Sequence, residues 1–376
     1  MAHGVTAVED DVRQLTHVPA LDGLRGVAVL LVVLYHTSVL VNPSTEKLTT
    51  VHGLGWLNAF ARGGFLGVDV FFVLSGFLIT SLLLGHLART GTIGFRRFYR
   101  RRALRLLPAL VVLLIAHLVY SCFATNPAMG AIPASRAIPL RQELNTIAAA
   151  LAYVFNYVVS FHPNSVAFSD LGHLWSLSVE EQFYLLWPAL LALVLRWRAD
   201  MVPRVIWLGI AVVMADRLLL FPDPHVDLYV RTDARADSLL IGALLAWLWA
   251  HGTLPKLPRA APWCATGLIV FFIATSRILS ASLYNGGFTL FAGAVAVVIL
   301  AVVDSGWGST LRARPIRAVG RVSYGLYLWH VPIFVAITRA DVPHNLAARV
   351  AFGYALSAVA TYLSWTLVEK RALARR

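Results

Sequence analysis

Long apolar runs, each close to the length of a bilayer crossing and separated by short basic clusters, leave this chain few ways to fold. They cover roughly residues 20–41, 64–87, 104–124, 145–161, 174–195, 204–221, 238–251, 262–279, 286–303, 322–339 and 346–368. About 20 apolar residues cross the hydrocarbon core as a helix, and in lipid the backbone must satisfy its own polar groups. The runs therefore predict an all-α polytopic membrane protein. Composition agrees: of 376 residues, 58% belong to the hydrophobic set and 14% are charged, against about 25% charged in soluble domains. A soluble enzyme, a disordered protein and a disulfide-stapled secreted domain are thereby excluded. Cys122 and Cys264 form no spaced pattern, so neither a disulfide framework nor a metal is expected. The net charge of +13 does not point to nucleic acid, because the basic residues sit between the apolar runs and read as an orientation signal.

Arg89, Arg96, Arg97, Arg100, Arg101, Arg102 and Arg105 separate the second and third runs and belong in the cytoplasm. If every run spans, the clusters at 196–204, 312–321 and 370–376 fall outside. If run 145–161 does not span, they all move inside. That run holds Asn145, Tyr153, Asn156 and Tyr157, so it is expected as a re-entrant or half-buried helix, tolerated where protein or a cavity covers it. The expected organisation is about ten transmembrane helices with both termini cytoplasmic. Residues 1–19 form a cytoplasmic tail, 20–368 the membrane domain and 369–376 a second cytoplasmic tail. The polar gaps at 42–62 and 125–144 and the prolines at 127–139 and 222–224 are expected in loops.

Ionisable residues inside a span are costly and mark candidate functional positions. Arg25 and His36 lie eleven residues apart in the first run, on nearly one helical face and about 16 Å apart along the axis. An interfacial arginine and a buried, hydrogen-bonded histidine would explain them equally. Asp69 begins the second run and is a candidate counter-ion for His36, while Ser75 and Gly76 suit close helix packing. The stretch from His173 carries Trp175, Glu180, Glu181, Gln182 and Tyr184. Burial would suit a carboxyl there to proton transfer, though the start of a helix also favours negative charge. Asp233, Arg235 and Asp237 stand at the outer start of another run, as a surface ion network or as contacts for a polyhydroxyl acceptor. Ser323, Tyr324 and His330 lie in the run at 322–339; a lone histidine such as His330 or His117 is more often structural.

The segment FRRFYRRRALRLLP holds more arginine than orientation needs. Guanidiniums bind phosphates bidentately, so Arg97, Arg100, Arg102 and Arg105 fit a cytoplasmic cofactor with several phosphates, such as coenzyme A or a nucleotide. Topology and anionic lipid headgroups are the competing explanation. No P-loop or dinucleotide fingerprint is present.

Six motifs in order carry a resemblance over about Leu21–Lys370. They are Arg25-x10-His36, GVDVFFVLSGFLI at 67–79, Arg102-x-x-Arg105 followed by LLP, LWSLSVEEQFY at 174–184, D-x-R-x-D at 233–237 and SYGLYLWH at 323–330. Together they resemble the membrane acyltransferase-3 family, O-acyltransferases of bacterial glycans and macrolide sugars. The resemblance implies a multi-pass protein of the bacterial cell membrane that moves an acyl group, usually acetyl, from cytoplasmic acyl-CoA to a hydroxyl. It implies that His36 is catalytic and that Arg25, Arg102 and Arg105 engage the donor. Asp69 or Glu180 would orient His36, and Trp175, Glu181, Tyr184, Asp233, Arg235, Asp237 and His330 would contact the acceptor, a carbohydrate or glycosylated molecule. The chain ends soon after its last run, so the stand-alone form, without the extracytoplasmic esterase-like domain of many members, is expected. The rival reading is a transporter or flippase for a glycan or lipid-linked substrate, against which stands the lack of an internal repeat. Acceptor identity, acyl length and direct transfer against an acyl-enzyme stay open.

Overall fold

A computed structural model describes residues 13–41, 55–124, 139–165, 168–220, 226–340 and 345–374. Most of the expected N-terminal tail, the prolines at 127, 133, 222 and 224, and the last two residues of the C-terminal tail lie outside them. Among the described residues every regular element is helical.

In chain order the helices are α1 (Pro19–Val41), α2 (Gly55–Gly63), α3 (Gly67–Thr90), α4 (Phe95–Ala124), α5 (Leu140–Leu151), α6 (Phe155–Phe161), α7 (Phe168–Leu171), α8 (Leu174–Trp197) and α9 (Val202–Leu220). After them come α10 (Val226–Val230), α11 (Ala236–Ala250), α12 (Ala261–Thr275), α13 (Phe288–Leu300), α14 (Arg314–Arg321), α15 (Ser323–Ala340), α16 (Leu346–Ser364) and α17 (Lys370–Leu373). Six helical segments are long and apolar enough to cross a membrane: 19–40, 59–90, 95–123, 174–197, 283–305 and 346–373. α11 and α12 are apolar but shorter. α9 is a continuous helix that carries Arg204, Asp216 and Arg217 among its apolar residues. The run at 145–161 breaks at Ala152–Val154 into α5 and α6, of 12 and 7 residues, and neither has the length to cross.

Two stretches that separate apolar runs are helical. The arginine segment forms the first turns of α4, a helix of 30 residues, because arginine, alanine and leucine are strong helix formers. Part of the polar gap at 42–62 is α2, which leads into the long 59–90 segment. Local chemistry sets several ends. Gly91 takes φ 67° and its N–H closes on Leu87 O, ending α3 with the left-handed glycine such a cap needs. Asn345 caps α16 by accepting from the Ala348 N–H at 3.0 Å, leaving one fewer donor unsatisfied.

α3 and α11 pack backbone to backbone. A Cβ on Gly76 would meet Leu239 O at 1.9 Å, and one on Gly242 would meet Val73 O at 2.1 Å. Small residues allow this approach between helices in lipid, where packing rather than hydrophobicity drives association. Two buried ion pairs lock the same region. Arg235 donates to Asp69 at 2.6 Å, linking α11 to α3, and Arg217 donates to Asp237 at 2.7 Å, linking α9 to α11. Thr289 of α13 donates to Asp237 at 2.6 Å and accepts from Arg217 at 2.7 Å.

Candidate functional site

α1, α3, α4, α8 and α15 converge around a cavity of about 330 Å³. Arg25 of α1 and Arg102 and Arg105 of α4 line it, with Ser75 of α3, Glu180 and Tyr184 of α8, and Ser323, Tyr324 and Tyr327 of α15. Val68, Phe71, Phe72, Leu78 and Ile79 of α3 supply an apolar wall. Its size is at the small end for ligand sites, and its mixture of apolar wall and convergent polar groups is what such sites use.

The segment before α1 closes one end. The Arg13 N–H donates to Ala250 O at 2.9 Å and its guanidinium to Asp304 at 3.2 Å, while Arg89 donates to Gln14 Oε1 at 2.9 Å. Leu15, Thr16, His17 and Val18, held by these anchors, line the cavity. These residues were expected in a tail, and their polar content carried no signal that they would meet the helix ends.

The polar groups of the cavity differ in how far they are satisfied. Arg102 gives Nε and Nη2 to Glu181 Oε1 at 3.1 and 2.9 Å, lies 3.7 Å from Glu180 and stacks 3.5 Å above the Tyr184 ring. Ser75 and Tyr184 both donate short hydrogen bonds to Glu180 Oε1. Arg25 lines the same cavity, and among the described residues no side chain forms a hydrogen bond or ion pair with it. Its guanidinium is thus an available donor for an anion.

Beyond the cavity lies a cluster of imidazoles. Tyr327 and Ser176 hydrogen-bond each other, and Tyr327 donates to His173 O at 2.6 Å. Both side chains belong to the lining. From Tyr327, ring contacts continue to His330 at 5.7 Å and from His330 to His36 at 5.0 Å and His173 at 5.5 Å. His36 Nδ1 lies 2.9 Å from Val32 O and 3.2 Å from His330 Nε2. His36 does not itself line the cavity.

The sequence-derived candidates therefore divide. Arg25, Arg102, Arg105, Glu180 and Tyr184 meet in one cavity, and His36 meets His330. Asp69 does not serve His36: its carboxylate accepts from Arg235 and, at 3.3 Å, from Ser238. Glu180 likewise bonds Ser75 and Tyr184, not the imidazole. Arg97 and Arg100 are exposed on α4 and outside the lining, since successive residues on a helix face different ways. Glu181 is occupied by Arg102. Trp175 is buried against Tyr229 and Phe72, with ring centroids 4.7 and 6.1 Å away. Arg235 and Asp237 sit in the buried ion pairs. Asp233 accepts from Arg231, a hydrogen bond that raises the Arg231 pKa above its ordinary value, and from Tyr157 at 3.4 Å. Ser75, read as a packing residue, belongs to the cavity, whereas its neighbour Gly76 does the packing. Ser176 and Tyr327 lie inside two of the quoted motifs but were not singled out as site residues. The i, i+3 spacing of Tyr324, Tyr327 and His330 was the available sign that they share a face.

Comparison with known proteins gives a consistent result. A family model described as an acyltransferase domain matches residues 18–369. The chain is 34% identical over 345 residues to the peptidoglycan O-acetyltransferase OatA of Listeria monocytogenes, covering 86% of this chain and 50% of that protein. It is 32% identical over 381 residues to YrhL of Bacillus subtilis, provisionally named a peptidoglycan O-acetyltransferase, covering 94% of this chain and 54% of that protein. The chain spans about half the length of the curated relatives it matches. No solved structure matches it significantly.

Proposed function

The chain belongs to the acyltransferase-3 family, and from that premise we propose that it is a membrane O-acyltransferase moving an acetyl group from acetyl-coenzyme A to a sugar hydroxyl. The observation that carries this reading is Arg25, a guanidinium with no hydrogen-bond or ion-pair partner among the described residues, in a helix-bundle cavity that Arg102 and Arg105 also line; Tyr184, Asp22 and Glu180 act on it only through space. A donor with several phosphates answers that charge, and guanidiniums hold phosphate oxygens bidentately. The apolar wall of α3 suits the pantetheine arm, and a cavity of about 330 Å³ takes the arm and acyl group while the nucleotide stays at its mouth. The thioester then reaches the imidazoles by displacing the Tyr327–Ser176 contact.

At that point His36 takes the proton of the acceptor hydroxyl as the oxygen attacks the thioester carbonyl. The carbon–sulfur bond breaks, the coenzyme A thiolate leaves, and the proton on His36 passes to it. Transfer through an acyl-imidazole of His36 uses the same groups in two steps. The acceptor proposed is a cell-wall glycan, because the matched relatives carry peptidoglycan O-acetylation in their names. Asp69, Arg235 and Asp237, occupied by one another and by Arg217, are left out of the acceptor site.

The test uses the purified protein in lipid nanodiscs with acetyl-coenzyme A and chitotriose as the acceptor probe, following thiol release and acetylated sugar by mass spectrometry. His36→Ala is expected to lose activity by about a thousandfold, within the range general acid–base groups contribute, while still binding coenzyme A. Acetyl transfer that survives His36→Ala unchanged would overturn the assignment of this residue.

A further inference from the structure

The hydrogen bonds of the imidazole cluster define where each ring carries its proton. His330 Nδ1 lies 3.0 Å from Leu326 O. A carbonyl oxygen only accepts, so Nδ1 bears the hydrogen, and a neutral ring then has a bare lone pair on Nε2. That Nε2 faces His36 Nδ1 at 3.2 Å. His36 Nδ1 also lies 2.9 Å from Val32 O, a second group that only accepts. Both neighbours of His36 Nδ1 are acceptors, so this nitrogen bears the hydrogen and shares it between them. The lone pair of His36 consequently sits on Nε2, for which no described group is a hydrogen-bond partner. Among the described residues no carboxylate bonds to His36, and Asp69 and Glu180 are held by Arg235, Ser238, Ser75 and Tyr184.

We propose that His330 is the positioning residue of the reaction: its bare Nε2 accepts the His36 Nδ1–H, holds His36 in the tautomer that presents Nε2 as the base, and stabilises the imidazolium formed there. This rests on the reading of His36 as the base. The proton balance is simple. The acceptor O–H bond breaks and its proton goes to His36 Nε2, while the existing Nδ1–H···Nε2 bond to His330 strengthens because its donor is now charged. When His36 returns the proton to the departing thiolate, the pair is restored. An oriented partner on the second ring nitrogen is a general requirement of histidine bases, and here a neutral imidazole meets it where a carboxylate commonly would.

Helix geometry makes the arrangement rigid. The two partner carbonyls, Val32 O and Leu326 O, are each four residues before the histidine they serve, so each ring is tied to its own helix. α1 and α15 then need only stay in contact for the ring-to-ring bond to persist. His173, whose Nε2 lies 3.2 Å from Leu328 O, packs against His330 with ring centroids 5.5 Å apart.

Three variants at position 330 test this in nanodiscs with acetyl-coenzyme A and chitotriose, alongside His36→Ala. A glutamine can place its amide oxygen near where Nε2 lies, whereas an asparagine is too short and a phenylalanine accepts nothing. His330→Phe and His330→Asn should lower kcat by about a hundredfold and leave KM for acetyl-coenzyme A within twofold, and His330→Gln should restore activity to within about tenfold of the parent. Equal losses in all three, or none in any, would overturn the proposal. Nitrogen-15 spectra of histidine-labelled protein give a readout independent of turnover and of folding in any variant. His36 should show a protonated Nδ1 and a bare Nε2, and a protonated Nε2 in the parent protein ends the idea. If His36→Ala retains activity, the base assignment fails, and the spectra of His330→Phe beside those of the parent decide whether His330, rather than Val32 O alone, sets the tautomer.

Discussion

Two regions of this bundle carry arginine and carboxylate among apolar helices, and they are built in opposite ways. In the region of α3, α9, α11 and α13, Asp69 and Asp237 are 0% exposed and Arg217 and Arg235 are each 1% exposed. Each charge there meets an opposite charge, and Arg235 also stacks 3.6 Å over Phe288. In the region of α1, α4, α8 and α15 the charges face a cavity, Arg102 pairs with Glu181, and Arg25 has no hydrogen-bond or ion-pair partner among the described residues. The first region is sealed from solvent by its ion pairs and the second lines a cavity. Intramembrane charge is a sound pointer to function, but the pointer works only after paired charges have been set aside.

The largest effect expected from this contrast is on stability. Asp69→Ala leaves Arg235 buried without its carboxylate and should cost about 3–5 kcal/mol, read as a collapse of the thermal midpoint in detergent. The double replacement Asp69→Leu with Arg235→Met should recover most of the loss, because apolar groups of similar volume can replace a buried pair. Failure to recover would mean that these charges do more than hold the helices.

Arg25→Ala should behave in the reverse manner. Loss of a hydrogen bond to a charged group is worth about 1.5–3 kcal/mol, so KM for acetyl-coenzyme A should rise by roughly 10- to 150-fold with an unchanged thermal midpoint. A fall in stability instead would place Arg25 with the closed region.

Glu181→Gln probes the intermediate case. Removing the charge that shares Arg102 should free the guanidinium for the donor and lower KM by roughly two- to fivefold, the scale of a partly screened pair. An unchanged KM would confine Arg102 to holding α4 against α8. The smallest effect belongs to Arg198→Ala at the α8–α9 turn, where the exposed Arg198–Asp200 pair should shift the thermal midpoint by no more than replicate scatter.

How far these two regions could be told apart before the fold was known depended on the kind of signal each residue carried. The family motifs marked Arg25, His36, Arg102 and Arg105, and helix periodicity placed Arg25 and His36 on one face of α1. The same motifs marked Asp69, Arg235 and Asp237 as strongly, because a motif records that a residue type is needed and not what it is needed for. A similar depth in the membrane is all that makes Asp69 a candidate counter-ion for His36 from the sequence. Depth fixes position along one axis, and choosing among partners at one depth requires knowing which helix lies beside which.

Hydropathy, basic clusters and helix propensity are properties of contiguous residues, and they were enough to indicate an all-helical membrane protein and to mark the run at 145–161 as unlike the others, though not its division into α5 and α6. Partnership between residues such as His36 and His330, nearly three hundred positions apart, arises from which helix faces pack together. That outcome is set by many weak van der Waals contacts and by close approaches such as Gly76 to Leu239. Only the assembled bundle determined that Asp69 would meet a guanidinium, that His36 would meet a second imidazole, and that Arg25 would line a cavity with no hydrogen-bond or ion-pair partner among the described residues.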